Sequence, residues 1–156
     1  MQIQSMALGQ LSGHEAGLQL LKQMYEEKFG APLPEIRRTE RGKPYFLDSA
    51  VHFSISHTPK HVFCVLSDRS VGIDAEETDR EVNLALADKI LSPTEKERFS
   101  QAEDKQQALL KLWVLKEAQA KCTGEGLRGY PNETDFSFED PRIQVIDGCY
   151  VAVIEK

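Results

Sequence analysis

Gly72-Ile73-Asp74-Ala75-Glu76 is the stretch on which the reading of this chain turns. Its alternation reads as a strand, where successive side chains point to opposite faces, so Asp74 and Glu76 share a face while Ile73 turns to the core. A second stretch, Trp113-Val114-Leu115-Lys116-Glu117-Ala118-Gln119-Ala120-Lys121, reads as a helix in which Glu117 lies one turn from Lys121. Each stretch alone has an ordinary explanation. Carboxylates at a strand end are commonly just solvated. Glu117 with Lys121 is commonly a surface ion pair worth roughly 0.3–0.5 kcal/mol, and Trp113 reads as a core anchor. Taken together, three carboxylates able to meet beside lysines suit a hard divalent cation, magnesium above all, shared with a phosphorylated substrate.

Outward from the central strand the chain alternates between the two periodicities. Ser12-Gly13-His14-Glu15 has capping-box spacing and opens a helix with Leu18, Leu21, Tyr25 and Phe29 as its apolar side, ended by Gly30, Pro32 and Pro34. Strands are expected at residues 51–57, 61–67 and 70–76, joined by turns at Thr58-Pro59-Lys60 and around Asp68-Arg69. Connections this short predict antiparallel neighbours throughout. A helical region follows over residues 82–122, and within it Ser92-Pro93-Thr94-Glu95 combines an N-cap, a first-turn proline and a second capping box. Asp147-Gly148 reads as a hairpin turn between strands at 143–146 and 149–154. The fold class is α+β, with antiparallel sheet segments flanked by helices.

Composition narrows the class of function. With 156 residues the chain makes one domain, or two small subdomains packed together, with room for a real core. A net charge of −6 argues against a nucleic-acid-coating protein, so any anion site must be a local cluster. Cys64, Cys122 and Cys149 are odd in number and follow no motif, which fits reduced thiols in the cytoplasm; no apolar run is long enough for a membrane span. No His/Cys grouping has zinc-ligand spacing.

Two further elements complete a pattern: Arg41-Gly42-Lys43-Pro44 and Phe53-Ser54-Ile55-Ser56-His57. With the first two stretches, and in this order, they resemble the 4′-phosphopantetheinyl transferase superfamily, specifically its Sfp-like branch. The resemblance spans residues 38–138, and Gly124-Glu125-Gly126-Leu127 is similar to the loop after that family's catalytic helix. It implies a phosphopantetheinyl transferase fold: two small antiparallel-sheet and helix subdomains in pseudo-twofold arrangement. Residues 1–69 would form a shortened N-terminal subdomain on the nucleotide side of the cleft, and residues 70–156 the subdomain with metal and catalytic helix.

The implied reaction is Mg²⁺-dependent transfer of the 4′-phosphopantetheine arm of coenzyme A to a serine of an acyl or peptidyl carrier protein, releasing 3′,5′-ADP. That is an enzyme of the holo-[acyl-carrier-protein] synthase type, and the alternative is a relative that binds carrier or coenzyme but transfers poorly. By resemblance, Asp74, Glu76 and Glu117 hold Mg²⁺, Glu117 takes the serine proton, and Lys116 and Lys121 neutralise phosphate oxygens. Lys43, Ser56 and His57 contact the coenzyme, and Arg38 and Arg41 are extra cations beside it. His14, His52 and His61 match nothing in the family. The N-terminal half is expected to lack the family's first strand, and Ser12 falls where an arginine precedes the first helix. Weaker 3′-phosphate recognition is therefore expected. One copy carries all the elements, which implies a monomer. Carrier docking is expected along residues 82–99, where Leu84, Leu86, Ile90 and Leu91 exceed one buried helix face.

Overall fold

The structure is a computed structural model that describes residues 1–127 and 133–156. The described residues form strands β1 (Gln2–Ala7), β2 (Ile36–Arg38), β3 (Pro44–Phe46), β4 (His52–His57), β5 (His61–Ser67), β6 (Val71–Glu77), β7 (Ile143–Ile146) and β8 (Cys149–Glu155). The helices are α1 (Gly13–Phe29), α2 (Ala87–Ile90), α3 (Pro93–Ser100) and α4 (Lys105–Thr123). The α+β class is as expected. Both capping boxes form: Ser12 and Ser92 each accept from the amide three residues on, and Glu15 and Glu95 reach back to the cap amide. Asp147 and Gly148 both take positive φ, as a two-residue hairpin turn between β7 and β8 requires.

Three expectations need correction. A first strand does exist. β1 pairs antiparallel with β5, and it hides in the sequence because an edge strand of Gln2, Gln4 and Ser5 carries little apolar alternation. The short β2–β3 hairpin likewise went unread. Second, β6 does not extend the sheet of β5 despite the short turn between them. One sheet runs β1-β5-β4 and the other β6-β8-β7. Third, Ile90 and Leu91 are core residues, 5% and 1% exposed, so of the four apolar residues expected to dock a carrier (Leu84, Leu86, Ile90 and Leu91) only Leu84 stands well out of the surface.

Two layers of packing hold this arrangement. Along β5 the even residues Val62, Cys64 and Leu66 join Ala16, Leu20, Leu21 and Met24 of α1, while Phe63 and Val65 face the second sheet through Val71, Ile73 and Val151. The stripe of α1 is therefore set by Leu20, Leu21 and Met24, and Leu18 and Phe29 lie outside it, 37% and 41% exposed. Beyond β6, helix α4 buries Leu112, Leu115, Ala118 and Cys122 against Tyr150, Ala152 and Ile154 of β8. Gly72 sets the closeness of that contact: a Cβ there would run into the Ala118 carbonyl and the Cys122 amide. Cys64, Cys122 and Cys149 are free and buried. Among the described residues no helix is long and apolar enough to cross a membrane.

Candidate functional site

Strand β6 presents Gly72, Asp74 and Glu76 to the helix side, and α4 crosses directly over Gly72. That contact places Glu117 and Lys121 above the carboxylates. Lys121 Nζ donates to Asp74 Oδ1 at 2.8 Å, and Ser56 Oγ donates to the same oxygen at 3.1 Å. Asp74 Oδ2 is buried and has no partner. Burial raises the Asp74 carboxyl above its ordinary range despite the pull of Lys121. Burial, then the neighbouring Asp74 charge, pushes Glu117 up to about 7. Glu76 behaves differently. Its carboxylate is engaged by Arg80, four residues on. Among the described residues no three His, Cys, Asp or Glu side chains are gathered as a metal centre.

Glu117 and Lys121 stand where two cavities meet. A cleft of about 670 Å³ is lined by Arg38, Arg41, Lys43, Phe53 and His57 on one side and by Glu117, Ala120, Lys121 and Gly124 on the other. A smaller acidic cavity of about 390 Å³ is lined by Asp74, Glu76, Trp113, Glu117 and Lys121, and His57 borders both. The large cleft has cationic and apolar walls, and the small one is a carboxylate pocket. This pairing sets a cationic wall that can hold an anion beside a group of carboxylates that can hold a cation.

The sequence-derived residues divide sharply. Lys43 lines the large cleft with its stem against Gly124, and its Nζ donates to Ser70 Oγ at 2.9 Å and to the Cys122 carbonyl near the end of α4. Arg38 and Arg41 line the same cleft, Arg38 braced on the Gly42 carbonyl at 2.8 Å. Lys116 does not reach either cavity. It is 3% exposed and forms a buried ion pair with Glu95 at 2.9 Å, so its expected place on phosphate is corrected. Five residues on a helix turn through about 140° beyond a full turn, which sends Lys116 and Lys121 to different sides. Ser56 is also buried, with its hydroxyl committed to Asp74 and to the Ala75 amide. Trp113 is only half-buried and lines the acidic pocket. Sequence reasoning missed His14 and Leu18, which line the large cleft from α1. Gly13 and Gly17 between them are the available signal, because Gly13 packs against the His57 ring and Gly17 against Ile55.

A family model described as the 4′-phosphopantetheinyl transferase superfamily matches residues 70–149, from just before β6 to the start of β8. A Haemophilus influenzae relative is 37% identical over 114 residues, covering 70% of this chain and 48% of its own. The 4′-phosphopantetheinyl transferase gsp of Aneurinibacillus migulanus is 36% identical, over 58% of this chain and 38% of that protein. The 4′-phosphopantetheinyl transferase Sfp of Bacillus subtilis is 35% identical, over 56% and 40%. The chain belongs to the 4′-phosphopantetheinyl transferase superfamily, in its Sfp-like branch. It spans about half the length, or less, of these curated relatives.

Proposed function

We propose that this chain transfers the 4′-phosphopantetheine arm of coenzyme A to a serine hydroxyl of an acyl or peptidyl carrier protein. The observation that carries this reading is Glu117, a carboxyl lifted to about 7 at the junction of a cationic cleft and an acidic pocket. Standing between the two cavities, its carboxylate can accept a proton from a hydroxyl brought into the cleft. The carrier serine oxygen bonds to the β-phosphorus of the coenzyme, the serine proton passes to Glu117, and the bond to the bridging oxygen breaks to release 3′,5′-ADP. Lys121 faces the phosphate charge as it builds, and Lys43, Arg38 and Arg41 hold the nucleotide end with His57 at the turn between cavities.

The residues present fit a magnesium ion. Asp74 offers a buried oxygen with no protein partner, Asp74 and Glu76 both raise the affinity of Glu117 for protons, and Glu76 does the same to Asp74, a repulsion that a divalent cation relieves. Asp74 and Glu117 would hold it, joined by Glu76 once that carboxylate leaves Arg80. The ion supplies charge stabilisation on the phosphate oxygens. Residues 1–69 and 70–156 act as the nucleotide side and the metal side of one site, two sheet-and-helix halves about a pseudo-twofold. The test is mass spectrometry of an apo carrier protein incubated with the chain, coenzyme A and Mg²⁺. A gain of one phosphopantetheine arm supports transfer, and carrier or coenzyme binding without any gain overturns it in favour of a binding relative.

A further inference from the structure

No backbone ladder joins β4 to β6, although the two strands lie side by side at the join between the sheets. Serine hydroxyls take its place. Ser54 Oγ accepts from the Ile73 amide at 3.1 Å, and two residues on Ser56 Oγ accepts from the Ala75 amide at 3.1 Å. Both serines are buried, 6% and 5% exposed. Ser56 does one thing that Ser54 does not: it spends its single proton on Asp74 Oδ1, at 3.1 Å.

The two oxygens of Asp74 are thereby made unlike. Oδ1 receives Ser56 and Lys121, while Oδ2 is buried with no partner. A carboxylate held through one oxygen by two donors from different elements cannot turn about its Cβ–Cγ bond without losing both. Lys121 alone is a weak clamp, being a long flexible side chain one-third exposed. Ser56 is short, buried and fixed by a strand. We infer that Ser56 is a positioning residue for Asp74, holding Oδ1 so that Oδ2 is the one oxygen kept for a divalent cation. This rests on the metal reading proposed above, and it takes Ser56 away from direct contact with the coenzyme.

Trp113, the single tryptophan, lines the pocket with Asp74 and Glu117, so its fluorescence reports entry of an ion. The experiment titrates Mg²⁺ by Trp113 fluorescence and Mn²⁺ by electron paramagnetic resonance into the wild type, Ser56→Ala, Ser56→Thr and Ser54→Ala. Coenzyme A affinity is measured by calorimetry in the absence of metal. Ser56→Ala should weaken metal binding about tenfold or more, as loss of a group orienting a ligand does, and leave metal-free coenzyme affinity unchanged. Ser56→Thr keeps the hydroxyl and should restore metal binding. Ser54→Ala breaks the same kind of inter-sheet bond without touching Asp74, so it should lower thermal stability and spare metal affinity. Equal loss of metal affinity in Ser54→Ala and Ser56→Ala would overturn the inference, since the effect would be structural. So would a Ser56→Ala protein that loses metal-free coenzyme binding while keeping its metal. A wild type that binds neither ion overturns the metal reading, and this inference with it, before any variant is compared. Should Ser56→Ala not fold, Ser56→Cys keeps the volume with a poorer donor and carries the same comparison.

Discussion

Glu117 carries two measurable consequences of its surroundings. Its ordinary value is 4.5, and burial with Asp74 and Glu76 nearby lifts it to about 7 against the opposing pull of Lys121 and Arg80. Between those values the native state holds a proton that the unfolded chain has released. Metal-free stability should therefore fall as pH rises through that window, by about 1–2 kcal/mol once solvent screening of a half-open group is allowed for. Denaturant unfolding from pH 4.5 to 7 reads this slope. Glu117→Gln should flatten it, and an unchanged slope would mean the charge is relieved elsewhere. The same substitution should lower turnover by about 10²–10⁴-fold while coenzyme affinity holds, because the proton acceptor is lost and the size kept. Near-normal turnover would move the base to another residue. Lys116→Ala should cost about 3–5 kcal/mol in equilibrium unfolding, since it leaves Glu95 charged and buried. A loss below 1 kcal/mol, on the order of a surface pair, would contradict the burial. The rotation between positions 116 and 121 was legible in the sequence, but the partner was not: Glu95 lies on another helix, and no spacing rule links the two.

At the scale of elements, alternation and capping named most strands and both capped helices correctly. Where local pattern is weak the reading failed: β1 has a polar-rich edge sequence, and β2 and β3 are three residues each. The path of β6 was hidden for a different reason. A short turn normally keeps two strands in one sheet, but here the β6 ladder is taken by β8, a strand from the far end of the chain. Only long-range pairing decides that. Gly72 was legible as part of a motif and not as a packing device. Gly72→Ala should force α4 away from β6, because the atoms met are backbone and cannot rotate aside. The expected loss is about 1–3 kcal/mol or more, together with a weakened Asp74–Lys121 pair. A Gly72→Ala protein with wild-type melting temperature and activity would show that the helix sits less tightly than described.

For the whole molecule, the two sides of the large cleft come from one chain, so a single copy supplies Lys43 and Glu117 to the same site. Mixing inactive Lys43→Ala and Glu117→Ala proteins should restore no activity, and recovery would mean that each site draws on two chains. The order of the four motifs carried this much in the sequence; how closely the halves share a core did not show there. That sharing has a consequence for any attempt to divide the protein. Strand β5 serves as a party wall, its even residues spent on α1 and its odd ones on the second sheet. Cutting the chain near Asp68 would strip Phe63 and Val65 of their cover and leave the first piece with an oily outer face. Its amides should accordingly exchange with solvent only through global opening and rank among the slowest in the molecule. Proteolysis should then yield intact chain or small peptides, with no stable half surviving between.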